Sequence, residues 1–177
     1  IRKDIRLEMV DRIPEPGEYV IIHAGFAIRS LSAEEANYNL SLLRKMAECL
    51  EREHADMVIG SRFIEKKGFQ SSGMRRVGIR YFTGLIKALT GVKVTDPTSG
   101  LRMVNRDVMR FFAENYPKDY PEPESVVAIL RRKKKVKEIP VVMKERAGGV
   151  SSISPRKSIY YMIKVSMAIL IECIRKY

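Results

Sequence analysis

Three short segments of this 177-residue chain set arginine, hydroxyl groups and glycine side by side. They are Gly60-Ser-Arg62-Phe, Asp96-Pro-Thr-Ser99-Gly-Leu-Arg102 and Glu145-Arg146-Ala-Gly-Gly-Val-Ser151-Ser. Residues of these types can hold an oxyanion. Glycine lets backbone N–H groups approach, hydroxyls donate, and a guanidinium grips phosphate through two parallel hydrogen bonds. Any one of the loops reads equally well as a turn, and Asp96 can cap its own turn. Three of them in one chain favour a phosphate-bearing ligand, although GxGxxG and GxxxxGK[ST] are both missing. Arg75, Arg76 and Arg80 either extend such a site or form a solvated helix face. Glu122 and Glu124 are carboxylates that could equally favour a helix N-terminus electrostatically. His23 offers an imidazole, a common iron ligand, and an ordinary strand-end histidine is the alternative.

The elements that must position these groups alternate between strand and helix patterns. Asp4 to Val10 alternates apolar with polar residues, Pro14 to Gly17 is a turn, and Tyr19 to Ile22 is β-rich and runs into His23-Ala-Gly25. Gly25 there lets the backbone bend or approach closely. A capping box, Ser32 with Glu35, opens a helix whose apolar face is Ala36, Leu40, Leu43, Met46, Ala47 and Leu50. Farther on, residues 55–60 read as a short buried strand. A helix over 71–89 places Val77, Tyr81, Leu85 and Leu89 at helical spacing. Asn105 is an N-cap, Glu122-Pro-Glu124 precedes a helix running to Leu130, Val136 to Met143 is a strand, and Ser154-Pro155 opens the last helix. The expected fold class is α/β.

Charge divides the chain near Glu51. Residues 1–50 hold seven Lys+Arg against eight Asp+Glu, and residues 51–177 hold twenty-six against thirteen. A shift that abrupt suggests units with different partners. The basic run Arg131 to Lys135 has no interleaved aromatic residues, so a solvated turn comes first, anionic lipid headgroups second and nucleic acid third. Ile159 to Cys173 is strongly apolar but is interrupted by Lys164 and Glu172, and it falls short of the ~20 apolar residues that cross a bilayer. A core-docked or interfacial helix is expected, its flanking Arg156, Lys157, Arg175 and Lys176 suiting an anionic lipid surface. Cys49 and Cys173 lie far apart in no CxxC pattern, and the chain opens without a signal peptide, as a sequence cut from something longer would. The expected location is the cytoplasm, including the cytoplasmic face of the membrane.

Two resemblances follow from these motifs. Gly17 to Ile28, with HAGFAI at its end and an acidic helix after it, resembles the HypC/HupF hydrogenase-maturation chaperones over residues 3–50. The resemblance implies a small β-barrel with a C-terminal helix. It also implies an iron centre carried toward the hydrogenase large subunit, with His23 as one ligand. The family's Cys-Leu-x-x-Pro motif and first strands are absent from these residues.

The segments Ile59–Phe63, Thr95–Arg102, Tyr120–Ser125 and Glu138–Ser154 resemble the C-terminal half of a family 2 glycosyltransferase of the polyprenyl- or dolichyl-phosphate type, over residues 54–174. That resemblance implies part of a GT-A fold and transfer of sugar from a nucleotide sugar to a lipid phosphate, with Mg²⁺ or Mn²⁺. By resemblance, Arg62 and Arg76 or Arg80 reach phosphates, Asp96 and Ser99 shape the acceptor pocket, and Arg146 clamps a phosphate. Arg102 and Ser151 belong to the same loops, and Glu122 or Glu124 is the acid beside the acceptor. No D-x-D occurs in the chain, so transfer by this polypeptide alone is not expected.

The domain expectation is therefore 1–52 as barrel strands and helix and 53–177 as a mixed sheet with helices, both incomplete. Three functions compete: the transferase half, a hydrogenase-maturation protein, and a non-catalytic module for anions or a membrane surface.

Overall fold

The computed structural model describes residues 4–10, 12–23, 25–69, 73–117, 120–143 and 155–175. The chain forms two compact units, Ile1–Lys45 and Met46–Tyr177. The boundary falls inside a helix, ahead of the expected junction at residue 52.

In the first unit, β1 (Tyr19–His23) and β2 (Phe26–Leu31) pair antiparallel, with a register shift between Ile21 and Ile22. Gly25 makes the turn possible. Its φ is +87°, a left-handed value that costs other residues energy, and no atom lies near enough to clash with an added Cβ. Of the two expected reasons for a glycine here, the structure shows the bend. The alternating stretch at residues 4–10 contributes one bridge, Arg6 to Phe26, with Arg6 N donating to Gly25 O at 3.0 Å and Ala27 N donating to Arg6 O at 2.8 Å. Among the described residues this sheet has two strands and does not close into a barrel.

Helix α1 (Ala33–Arg52) starts where the capping box predicts, with Glu35 N donating to Ser32 Oγ at 3.1 Å. Its expected apolar face is only half buried in fact. Ala36 and Met46 are enclosed, whereas Leu40 and Leu43 remain 43% and 44% exposed.

The second unit is built on a three-stranded sheet in the order β4-β3-β5. The central strand β3 (Met57–Ser61) is buried throughout, which explains its unbroken apolar run. It pairs antiparallel with β4 (Arg102–Val104) and parallel with β5 (Val136–Pro140). The sheet packs with α2 (Gly73–Thr90), α3 (Arg106–Asn115), α4 (Pro121–Arg131) and α5 (Pro155–Ile174). Their core includes Met57, Ile59, Phe82, Ile86, Val126, Ile129, Val165 and Ile169. Asn105 caps α3 as expected, accepting from Val108 N at 2.9 Å. Three expectations need correction. Val77 and Tyr81 are exposed, because the buried side of α2 runs through Ile79, Phe82 and Ile86. Glu122 and Glu124 lie in the first turn of α4 rather than ahead of it, since proline suits the first helical position. The strand expected to reach Met143 ends at Pro140, and Met143 makes one bridge to Gly68.

Candidate functional site

Two of the three oxyanion-type loops meet in the second unit. β3 delivers Ser61 and Arg62 to the loop that leads into β4. Arg62 Nε and Nη2 each lie 2.7 Å from an Asp96 carboxylate oxygen, and Arg62 N reaches Oδ2 at 3.2 Å. Asp96 is fully buried, and the Arg62 side chain is only 11% exposed. Arg62 Nη2 also donates to Thr98 Oγ1 at 3.1 Å, while Nη1 has no hydrogen-bond partner among the described residues. Behind the loop, Glu138 of β5 accepts from Thr95 N at 2.7 Å and Asp96 N at 3.0 Å, one backbone donor per oxygen. The hydroxyls of Ser61 and Thr95 lie 2.6 Å apart, and Ser99 Oγ donates to Gly60 O at 2.7 Å.

Arg102, at the end of the second loop, links it to the start of α4. Its Nε donates to Ser99 O at 2.7 Å, its Nη2 to Pro97 O at 2.8 Å and its Nη1 to Ser125 Oγ at 2.5 Å. Ser125 in turn donates to Pro121 O. Burial pushes Arg102 down to about 10, against the opposing fields of Glu122, Tyr116 and Asp96. Burial likewise raises the Tyr161 hydroxyl, helped by the charge of Glu122 and opposed by Arg75.

This geometry changes what several candidates can do. Asp96 accepts four hydrogen bonds, from Arg62 three times and from Thr98, so its carboxylate is a clamp with no lone pair directed at a ligand. Ser99 and Arg102 spend their polar atoms on backbone and on Ser125. Glu124 is buried and accepts from Tyr120 N at 3.0 Å, which holds the start of α4. These four build the loop framework. Glu122 is the candidate carboxylate that carries no hydrogen bond among the described residues, yet it shares an electrostatic neighbourhood with Arg102 and Tyr161. Arg76 and Arg80 are exposed on α2, whose Thr83 Oγ1 donates to Thr95 O at 3.5 Å. Arg146 and Ser151 lie outside the described residues. Glu138 and Ser125 stand at the ends of motifs whose residue types alone give neither of them a role. The alternation of β5 gave no hint that Glu138 would cap a loop some forty residues earlier in the chain.

In the first unit, His23 ends β1 opposite Phe26 and is exposed. Arg6 stacks on Phe26 at 5.4 Å, and Arg12 holds Glu18 at 2.5 Å. That Arg12 hydrogen bond, with the Glu15 backbone N–H, lowers Glu18 to about 2. No group of three His, Cys, Asp or Glu among the described residues is arranged to hold a metal ion. The described residues therefore offer no such set for Mg²⁺ or Mn²⁺, and for an iron centre those of the first unit offer the imidazole of His23. Among the described residues, no helix is long and apolar enough to cross a membrane.

The profile of the HupF/HypC family matches residues 1–43 of this chain. A curated relative, hydrogenase maturation factor HypC of Azotobacter chroococcum mcd 1, is 38% identical over 55 residues, 31% of this chain. The matched stretch spans 64% of that relative's length. The family match ends at residue 43, ahead of the oxyanion-type loops.

Proposed function

We propose that residues 1–45 act in hydrogenase maturation, as a unit that docks on a hydrogenase large subunit and presents His23 to it. The observation that carries this reading is the HupF/HypC match over residues 1–43. The placement of His23 is compatible with it, since an exposed strand-end imidazole beside a glycine turn is open to a second protein or to a metal centre in transit. An iron centre would be cargo, for which His23 supplies one ligand of several. The test is retention of a hydrogenase large subunit on the immobilised full chain. Retention is expected with the native chain and is expected to fall sharply with His23→Ala, a solvent-facing change that leaves the fold intact by circular dichroism. Equal retention by both proteins sinks the proposal.

A second reading applies to residues 53–177: the acceptor-side part of a glycosyltransferase acting on a lipid phosphate. It is favoured by the hydrogen-bonded meeting of Gly60–Phe63, Thr95–Arg102 and Tyr120–Ser125 around Arg62, Asp96 and Arg102. In this reading Arg62 Nη1, with Arg76, Arg80, Arg146 and Ser151, supplies charge and donors to phosphate. Glu122 stands beside the acceptor, and Asp96 positions Arg62 instead of accepting a proton. No step is routed through a nucleotide sugar or a metal, because among the described residues no donor set fits the ion. Calorimetry with a short-chain polyprenyl phosphate tests it. Binding that weakens at least about tenfold in Arg62→Lys, which keeps a cation against Asp96 but removes Nη1, supports the reading, in line with loss of a charge-assisted contact. Unchanged binding removes it.

A further inference from the structure

The outer sides of two neighbouring helices in the second unit form one apolar surface, and the charged residues exposed on those two helices, among the described residues, are cationic. On α5, Ile159, Ile163, Met167, Leu170, Ile171 and Ile174 are between 48% and 78% exposed. At helical spacing they fall within about 120° of one another, a continuous stripe. The opposite side of the same helix is already used, with Val165 and Ile169 fully enclosed in the core. The stripe is therefore surplus to folding, and a helix apolar on both sides needs a second environment.

Helix α2 continues the surface. Tyr81 Oη lies 3.1 Å from Ser166 Oγ, which ties the two helices together at the edge of the stripe. Val77 is 56% exposed and Tyr81 44%. At 100° per residue, Val77 and Tyr81 turn toward α5, and Arg76, Arg80 and Lys87 follow on the far side of the exposed face. All three cations are exposed. Lys164 sits at the other margin, its Nζ 5.4 Å over the Tyr160 ring. Helix α2 contains no Asp or Glu at all, and α5 contains only Glu172, which is 3% exposed and bridged by Arg175 at 3.5 Å.

We infer that this α2–α5 face docks flat on an anionic phospholipid bilayer, with α5 lying in the interface and α2 setting its arginines at headgroup level. Charge decides among the occupants. A second copy of the chain would bring arginine rim against arginine rim, whereas an anionic lipid surface complements it. Among the described residues no helix is long and apolar enough to cross a membrane, so the mode is lying on the bilayer rather than spanning it. The inference stands on α2 and α5 alone and does not rest on either functional reading.

Sedimentation of the full chain with vesicles tests it, using phosphatidylcholine alone and phosphatidylcholine mixed with phosphatidylglycerol. The expected result is binding to the mixed vesicles, weakened by added salt, and weak binding to the neutral ones. Two double variants at exposed positions separate the contributions: Ile163→Asp with Met167→Asp, and Arg76→Ala with Arg80→Ala. Each should weaken binding to mixed vesicles by about tenfold or more, the first by removing inserted apolar area and the second by removing headgroup attraction. Equal binding to both vesicle types overturns the inference, as does native-like binding by the aspartate variant. Self-association that this variant abolishes, in a protein that ignores lipid, gives the face to a second copy and overturns it too.

Discussion

Asp96 and Asp56 are carboxylates with structural tasks, and each makes a prediction at its own position. Asp96 is fully buried against Arg62. Removing one partner of such a pair strands the other charge, at a cost of about 3–5 kcal/mol. Asp96→Ala should therefore lower stability by about 3 kcal/mol or more in urea denaturation. A loss under about 1 kcal/mol would show that Arg62 has an alternative partner. Asp56 joins three elements. It accepts from Asn105 Nδ2 at 2.8 Å ahead of α3, from Lys134 Nζ at 3.2 Å, and from Lys135 N at 2.8 Å ahead of β5. Burial acts to raise its pKa, but the Lys135 N–H, Asn105 and Lys134 outweigh that and hold it below the ordinary 3.8. A lowered carboxylate contributes stability that is present above the unfolded value and is lost as pH falls through the folded one. Urea midpoints of the native chain should thus drop as pH falls below about 4, and Asp56→Asn should flatten that drop. An identical acid limb in the variant would contradict the assignment. At this scale residue types were legible and partners were not. Asp96 announces a turn or an acid, and only the position of Arg62 at the end of β3 decides between them.

Elements were easier to read where a local signal sets them. Ser32 with Glu35 opens α1, Asn105 caps α3, and the apolar run before Ser61 makes β3, because each depends on neighbours in sequence. Helix faces were harder. Leu40, Leu43, Val77 and Tyr81 satisfy helical spacing yet stay exposed, since spacing defines a stripe without saying what covers it. Strand β4 is three residues long, too short to leave a pattern, and it forms because Arg102 and Met103 pair with Ile59 and Val58. Glycine separates two physical reasons at this scale. An added Cβ at Gly60 would come within 2.8 Å of the Leu101 and Val141 side chains, so Gly60→Ala should destabilise by about 1–3 kcal/mol through overpacking beside β3. At Gly25 an added Cβ meets nothing within 4 Å, and the cost of alanine comes from φ alone, about 1–2 kcal/mol. Chemical denaturation of the two variants measures both. Loss at Gly60→Ala that disappears when Leu101 is shortened to alanine would identify packing as the cause.

For the whole molecule, the charge balance changes near Glu51, and the compact units divide at Lys45 and Met46. The first unit carries the HupF/HypC match; the second carries the meeting of two oxyanion-type loops and, separately, the basic, apolar α2–α5 face. A maturation role located in the first unit makes a prediction about which part of the chain a partner covers. Hydrogen–deuterium exchange of the full chain, alone and with a hydrogenase large subunit, measures this directly. The account predicts added protection across residues 19–31 and the start of α1, with the strands at residues 57–61 and 136–140 unchanged. Protection confined to residues 57–140, or no change anywhere at saturating partner, would contradict it.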